Sequence, residues 1–281
     1  MAEPNSPQSV NVNGCDLAYI TQGSGDAVIF VHGSVNDYRS WRNQMSPFAD
    51  RYQAVAYSRR HHWPNAQPSE GATYEIERHV ADLGALIETL DLAPARLVGS
   101  SYGAMTALTL ALARPELVRN LVLGEPPLFH WLPALPEGGV LLDEFMANAF
   151  GPARQAFVQG EPETGVRLFI NGVIGPGAFD RMPDVAREMM LDNADTMRTE
   201  TTTPLEMYFP RFSPEDVQGL PVPVLLVEGK VSPRIFGIVT DELGRVLPEA
   251  ERVTISAASH GMHGQNPTEY NEAVLAFQTR N

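Results

Sequence analysis

The segment Leu97-Val-Gly-Ser-Ser-Tyr-Gly-Ala104 joins two patterns of opposite period. The apolar run Ala95 to Val98 leads in and the Ala/Leu-rich run Ala104 to Ala113 leads out, so a strand must pass into a helix within about four residues. Gly99 and Gly103 remove the Cβ atoms that would collide where strand and helix cross. Ser101 is then left at the apex, strained, with its hydroxyl pointing outward. The helix behind it aims free N–H groups and its positive end at the place where an oxyanion would form. A glycine-flanked serine in an ordinary turn shows the same letters. What distinguishes a nucleophile is a base and an acid further along the chain, in the right order.

The 281 residues suit one large α/β domain with an insertion, and 43% hydrophobic with 19% charged residues describes an ordinary globular chain. A net charge of -14 excludes the positive field that nucleic acid or an anionic membrane surface needs, so the expected partner is a small-molecule substrate, with the chain a monomer or homodimer. The single cysteine, Cys15, excludes an internal disulfide and reads as a half-buried strand residue. Residues 1–8 show neither a basic nor an apolar leader region, and no apolar run reaches membrane-spanning length, which makes a cytoplasmic location the expectation.

Ser9 to Ile20 alternates around Asn13-Gly14, as in an edge hairpin. Ala27 to Val31 is continuously apolar, as a strand buried on both faces requires, and it ends in His32-Gly33-Ser34-Val35. A glycine there lets the chain turn across the top of the sheet, so that the Ser34 N–H pairs with that of Tyr102 as an oxyanion hole. A helix over Asp37–Phe48, a strand over Tyr52–Tyr57, a loop over Ser58–Gly71, a helix over Tyr74–Leu90 and a strand over Val118–Leu123 follow. The alternation predicts a parallel, doubly wound sheet with its site at the carboxyl ends of the strands. Arg59, Arg60, His61 and His62 fall in the loop and read as solvated or rim groups.

From 126 to 210 the pattern changes to helices broken by Gly and Pro, a cap over the site, with 1–125 and 211–281 as the core. The cap is rich in aromatic and methionine side chains; Phe129 and Trp131, with Val35 and Met262 from the core, are the candidate pocket wall. Sheet structure resumes at Val222–Val227, then a helix over Ile235–Val246, a strand over Glu251–Ile255 and a helix over Pro267–Phe277. His260 follows the last strand and is the best base for Ser101; His263 reads as rim or structural, and His130 as a weak alternative.

Val31-His-Gly-Ser34, Gly99-Ser-Ser-Tyr-Gly103 and Ser259-His-Gly261, with the strand spacing between them, resemble the α/β-hydrolase superfamily, in particular its helical-capped esterase- and lactonase-like members. Most such enzymes carry an aspartate in a turn after the strand that corresponds to Val222–Val227, and here that turn reads Gly229-Lys-Val-Ser232. In some members the acid follows the preceding strand instead, a position held here by Glu125, with Glu228 and Asp241 as the other candidates. The resemblance therefore implies a serine hydrolase of carboxylic esters or lactones of hydrophobic, modest-sized substrates, working through Ser101, His260 and Glu125. It implies no metal and no cofactor. A serine at the nucleophile position disfavours the dehalogenase and epoxide-hydrolase branches, which use aspartate. Carbon–carbon bond hydrolysis, a cofactor-free lyase or perhydrolase activity, and a slow or non-catalytic ligand-binding homologue are the alternatives.

Overall fold

The computed structural model describes residues 6–69 and 71–281. Eight strands form one sheet: β1 (Gln8–Val12), β2 (Cys15–Gln22), β3 (Ala27–Val31), β4 (Gln53–Tyr57), β5 (Ala95–Ser100), β6 (Val118–Gly124), β7 (Val224–Gly229) and β8 (Glu251–Ile255). Their spatial order is β1-β2-β4-β3-β5-β6-β7-β8. The expected hairpin forms at one edge, and from β4 to β8 every neighbour is parallel. Residues 1–5, part of the stretch 1–8 read as having no leader character, lie outside the described residues.

β3 is buried along its whole length, as its uninterrupted apolar composition requires. Successive side chains of a strand point to opposite faces, so Ile29 and Val31 enter one core while Val28 and Phe30 enter the other. On the first face pack α2 (Ile76–Thr89) and α3 (Tyr102–Ala113); on the second pack α1 (Arg42–Ala49) and the C-terminal helix Pro267–Arg280. The helix expected over Asp37–Phe48 is split. Asp37 accepts from the Arg39 N–H and tightens the first turn to a 3-10 helix, Tyr38–Trp41, before α1 begins. Pro47 inside α1 has no N–H for the Asn43 carbonyl, and the Asn271 side chain donates to it instead, at 2.9 Å.

Between β6 and β7 the chain is helical, with no strand among the described residues. Its longer α-helices are Pro162–Ile174 and Ala194–Thr202. This insertion leaves the sheet at the carboxyl end of β6, beside the end of β5 where the serine turn lies.

That turn is tight enough to forbid side chains at both glycines. A Cβ on Gly99 would stand 2.5 Å from Ala104 Cα, and one on Gly103 would stand 2.1 Å from the Val31 carbonyl oxygen and 2.5 Å from that of His32. All of these obstacles are backbone atoms, of α3, of β3 or of the loop after it, so nothing yields cheaply. Gly103→Ala is expected to destabilise the protein by about 3 kcal/mol, read as a lower urea midpoint; an unchanged midpoint would show that strand and helix do not meet as described.

Candidate active site

The registers bring three strand ends together: Val31 lies opposite Gly99, and Ser100 opposite Gly124. The residues just beyond those ends are His32 to Ser34, Ser101 and Glu125. Ser101 has φ 53° and ψ -123°, and Glu125 has φ 45°. A non-glycine residue in this region is strained and persists only where its surroundings hold it. The Ser101 N–H is fixed by the Gly124 carbonyl at 2.7 Å. Tyr102, as the first residue of α3, has no intrahelical acceptor for its N–H.

Glu125 is fully buried and spends both carboxylate oxygens. Oε1 accepts from the Gly229 N–H at the end of β7, at 2.9 Å, and Oε2 accepts from His260 Nδ1 at 2.6 Å. The carboxylate thus crosses the end of β7 to reach a loop that follows β8, about two strand spacings away. The imidazole is also gripped by its face: Phe236 stacks on it with centroids 3.8 Å apart and planes at 17°. Its loop is tied to the insertion, where Ser259 Oγ donates to the Ile174 carbonyl at 2.7 Å. Ser101 and His260 line one cavity; with Nδ1 bound to Glu125, the free ring nitrogen is Nε2.

The other carboxylates and histidines weighed from sequence are engaged otherwise, although His263 lines the cavity shared by Ser101 and His260, and His130 another cavity that also reaches Ser101. Glu228 pairs with Arg252, and Asp241 with Arg234 and Arg252. His263 is buried against the Trp41 ring, at 4.4 Å, and His130 bonds the Phe212 carbonyl. Ser232, in the turn where an aspartate was absent, is a buried hydroxyl without a hydrogen-bond partner.

The loop after β4 corrects the reading of Arg59 and His62 as solvated or rim groups. Arg59 is 1% exposed: Nε donates to the His32 carbonyl and Nη2 to the Gly33 carbonyl, both at 2.9 Å, and Nη1 bonds the Tyr74 hydroxyl. His62 is wholly buried, bonded through Nδ1 to the Asn36 carbonyl and through Nε2 to the Tyr74 hydroxyl. A loop with no hydrophobic periodicity gave no sign of burial, because what buries it is a polar network and not an apolar face. Arg60 is half-buried on Asp82, and His61 is half-buried, its ring bonded to the Ala66 carbonyl.

Two cavities of about 380 and 410 Å³ meet at Ser34 and Ser101. The first is almost entirely apolar, walled by Phe129, Phe145, Phe150, Phe169 and Phe236. The second carries His260 and a polar mouth. Of the four candidate wall residues Phe129 lines a cavity. Val35, Trp131 and Met262 correct that expectation: each is buried and lines neither, Trp131 because its indole N–H is drawn off to the Phe212 carbonyl at 3.0 Å, and Met262 because it packs behind Gly124.

Glu200, in the helix Ala194–Thr202, was not found from sequence. It is fully buried, accepts from the hydroxyls of Ser34 and Tyr208, and leaves Oε2 without a partner. Burial raises its pKa against the opposing pull of Arg59. A glutamate among threonines reads as an exposed helix face, and no local pattern marks it otherwise.

Fold and site together define a doubly wound hydrolase. The chain belongs to the alpha/beta hydrolase family, whose model matches residues 28–273. A Mycobacterium tuberculosis protein named as a non-heme bromoperoxidase, BpoC, is 28% identical over 289 residues, covering 93% of this chain and 97% of its own. Epoxide hydrolase A of the same organism is 26% identical over 315 residues, covering 96% of each. The crystal structure of carboxylesterase CesB from Bacillus subtilis superposes with a TM-score of 0.76 at 18% identity, over 100% of this chain and 93% of that one. No helix among the described residues is long and apolar enough to cross a membrane.

Four buried rings beside or beneath the site are held neutral. Burial, aided by the Arg59 charge, puts His32, His62 and His79 well below the ordinary histidine range, and burial pushes His263 down to about 4. Their folded pKa values lie below the unfolded value of 6.5, so their stabilisation is whole above pH 6.5 and lost as the pH falls toward 4. Glu200 opposes this, its contribution being whole below 4.5 and lost as the pH rises, but it is one group against four. Urea midpoints are expected to fall steadily from pH 7 to pH 4.5, and a flat profile would show that these rings take up protons without unfolding.

Proposed function

We propose that the protein is a serine hydrolase that cleaves carboxylic esters or lactones of hydrophobic acids. The observation that carries this reading is the 2.6 Å contact of Glu125 with His260 Nδ1, the ring sharing a cavity with the strained Ser101. A carboxylate on Nδ1 fixes the tautomer that leaves the Nε2 lone pair free to take the serine proton, and it stabilises the imidazolium that results. Ser101 Oγ attacks the carbonyl carbon, its proton passes to His260, and the N–H groups of Ser34 and Tyr102 receive the oxyanion. The imidazolium then protonates the leaving oxygen as the acyl–oxygen bond breaks. Water, deprotonated by the same ring, releases the acid and restores Ser101.

Arg59 serves this scheme from below. In a trans peptide the C=O and the following N–H point to opposite sides. By holding the Gly33 carbonyl, the guanidinium turns the Ser34 N–H away from itself and fixes its direction before substrate arrives. The apolar cavity beside Ser101 supports a hydrophobic acyl group, and the carboxylesterase neighbour shares this fold with a name that fits the same chemistry.

With p-nitrophenyl esters, Ser101→Ala is expected to leave only residual turnover, and a fluorophosphonate should label Ser101 in the folded wild-type protein; no labelling would leave a ligand-binding homologue in its place. Glu125→Gln, which mis-sets the tautomer, should lower kcat by about 10³ to 10⁴, while Asp241→Asn at the surface leaves it unchanged. Full activity in Glu125→Gln would remove Glu125 from the mechanism. Arg59→Lys keeps the charge but cannot hold two carbonyls in one plane. It is expected to lower kcat about tenfold or more with little change in KM; an equal loss with Ser34 already replaced by proline would mean that Arg59 acts elsewhere.

A further inference from the structure

The two cavities differ in what they offer, and the position of the base decides which part of an ester each would hold. Ser34 and Ser101 line both, but His260 lines only the second. The leaving oxygen must lie within hydrogen-bond reach of the group that protonates it, about 3 Å. The alcohol half of an ester therefore occupies the cavity with His260, and the acyl half is directed into the dry aromatic one.

The alcohol-side cavity has a charge pattern opposed to that of the molecule. The chain carries a net charge of -14, yet among the described residues no aspartate or glutamate lines this cavity, while Arg39, Arg42 and Arg181 do. Arg39 is already neutralised by Asp37 and Asp192. Arg42, in the first turn of α1, makes neither an ion pair nor a side-chain hydrogen bond among the described residues and is exposed. Arg181 has only the Pro176 carbonyl, at 2.9 Å. The carboxylates next to Arg181 in sequence are spent on other arginines, Asp180 on Arg167 and Asp184 on Arg187. Two cations without counter-charges among the described residues thus line the same cavity, one from the core and one from the insertion.

We infer that this cavity is a subsite for an anionic alcohol, and that the favoured substrates are esters joining a hydrophobic acid to a hydroxy compound that bears a carboxylate. The inference rests on the hydrolase reading for the place of the scissile bond, but the recognition of a carboxylate by Arg42 and Arg181 does not. Guanidinium groups match a carboxylate's two oxygens, and an exposed pair of this kind discriminates modestly, which two arginines together bring to about tenfold.

Matched substrates test it: the hexanoyl esters of 3-hydroxybenzoate and of 3-hydroxybenzamide, alike in size and differing in one charge. Wild-type kcat/KM is expected to be about tenfold higher for the carboxylate ester. Arg42→Gln with Arg181→Gln, both exposed positions, should erase that preference and leave turnover of the amide ester unchanged. Raising the salt from about 0.05 to 0.5 M should erode the wild-type preference as screening tightens. Calorimetric titration of the same proteins with 3-hydroxybenzoate and 3-hydroxybenzamide gives a readout that needs no turnover. Tighter binding of the benzoate by wild type alone sustains the subsite even if neither ester is cleaved, an outcome that would instead sink the hydrolase reading. Equal preference in wild type, or a preference that survives in the double variant, overturns the subsite while leaving ester hydrolysis standing.

Discussion

A single buried carboxylate couples the two ends of the sheet's working edge. Glu125 leaves β6, touches the last N–H of β7 and ends on the ring that follows β8. An isolated carboxylate in such a place would be untenable, because the loss of hydration is worth several kcal/mol. Here each oxygen has its own donor, and the strained backbone of Glu125 and Ser101 is held by the same strand ends that need the pair in place. The geometry also accounts for the residue type. A side chain that must clear one whole strand needs the extra methylene of glutamate, and the small hydroxyl of Ser232 in the turn after β7 leaves that path open.

The second buried charge lies on the opposite side of the serine. Arg59 donates to two successive carbonyls of the loop after β3, and its third contact, Tyr74, passes the chain of hydrogen bonds to His62. Burying a guanidinium costs as much as burying a carboxylate, and the cost is met by fixed dipoles of the loop and not by a single counter-ion. The neighbouring histidines are held neutral first by their own burial and then by Arg59, beside which a second positive charge would be repelled. Glu125 and Arg59 thus flank the serine from opposite sides, each anchored to backbone groups.

The mostly parallel sheet with its edge hairpin and the turn at Ser101 were legible because they rest on local rules: apolar continuity in β3, alternation in the hairpin, glycines where Cβ atoms would meet backbone. Glu125 was legible only through the absence of an acid at Ser232, since nothing in Gly124-Glu-Pro-Pro127 itself marks a buried residue. Arg59, His62 and Glu200 were not legible at all. Their burial depends on partners 26, 26 and 166 positions distant in the chain, and no periodicity within their own segments carries that information. The pocket wall fared in the same way. Trp131 and Phe129 sit two residues apart, yet one hydrogen bond to Phe212 turns the indole out of the wall while the phenyl ring stays in it.

The same distant partners determine how the insertion is fastened. Many of its polar attachments to the core come from Asn193 and residues 194–203, with others from Ile174, bonded to Ser259, and Asp192, paired with Arg39. Asn193 holds Asp37 and the Trp63 N–H, both at 2.8 Å, Thr196 holds the His61 carbonyl, Thr203 accepts the Tyr74 N–H at 2.7 Å, and Glu200 takes the Ser34 hydroxyl. These bonds are directional and buried, so displacing that edge would strand several polar groups at once, at about 1–3 kcal/mol each. The side that carries Arg181 is fastened more sparsely: the Ile174 carbonyl accepts from Ser259 Oγ at 2.7 Å, and Arg181 bonds only within the insertion, to the Pro176 carbonyl. The densest fastening therefore lies against the loop after β3, whose Ser34 borders the cavities that hold Ser101.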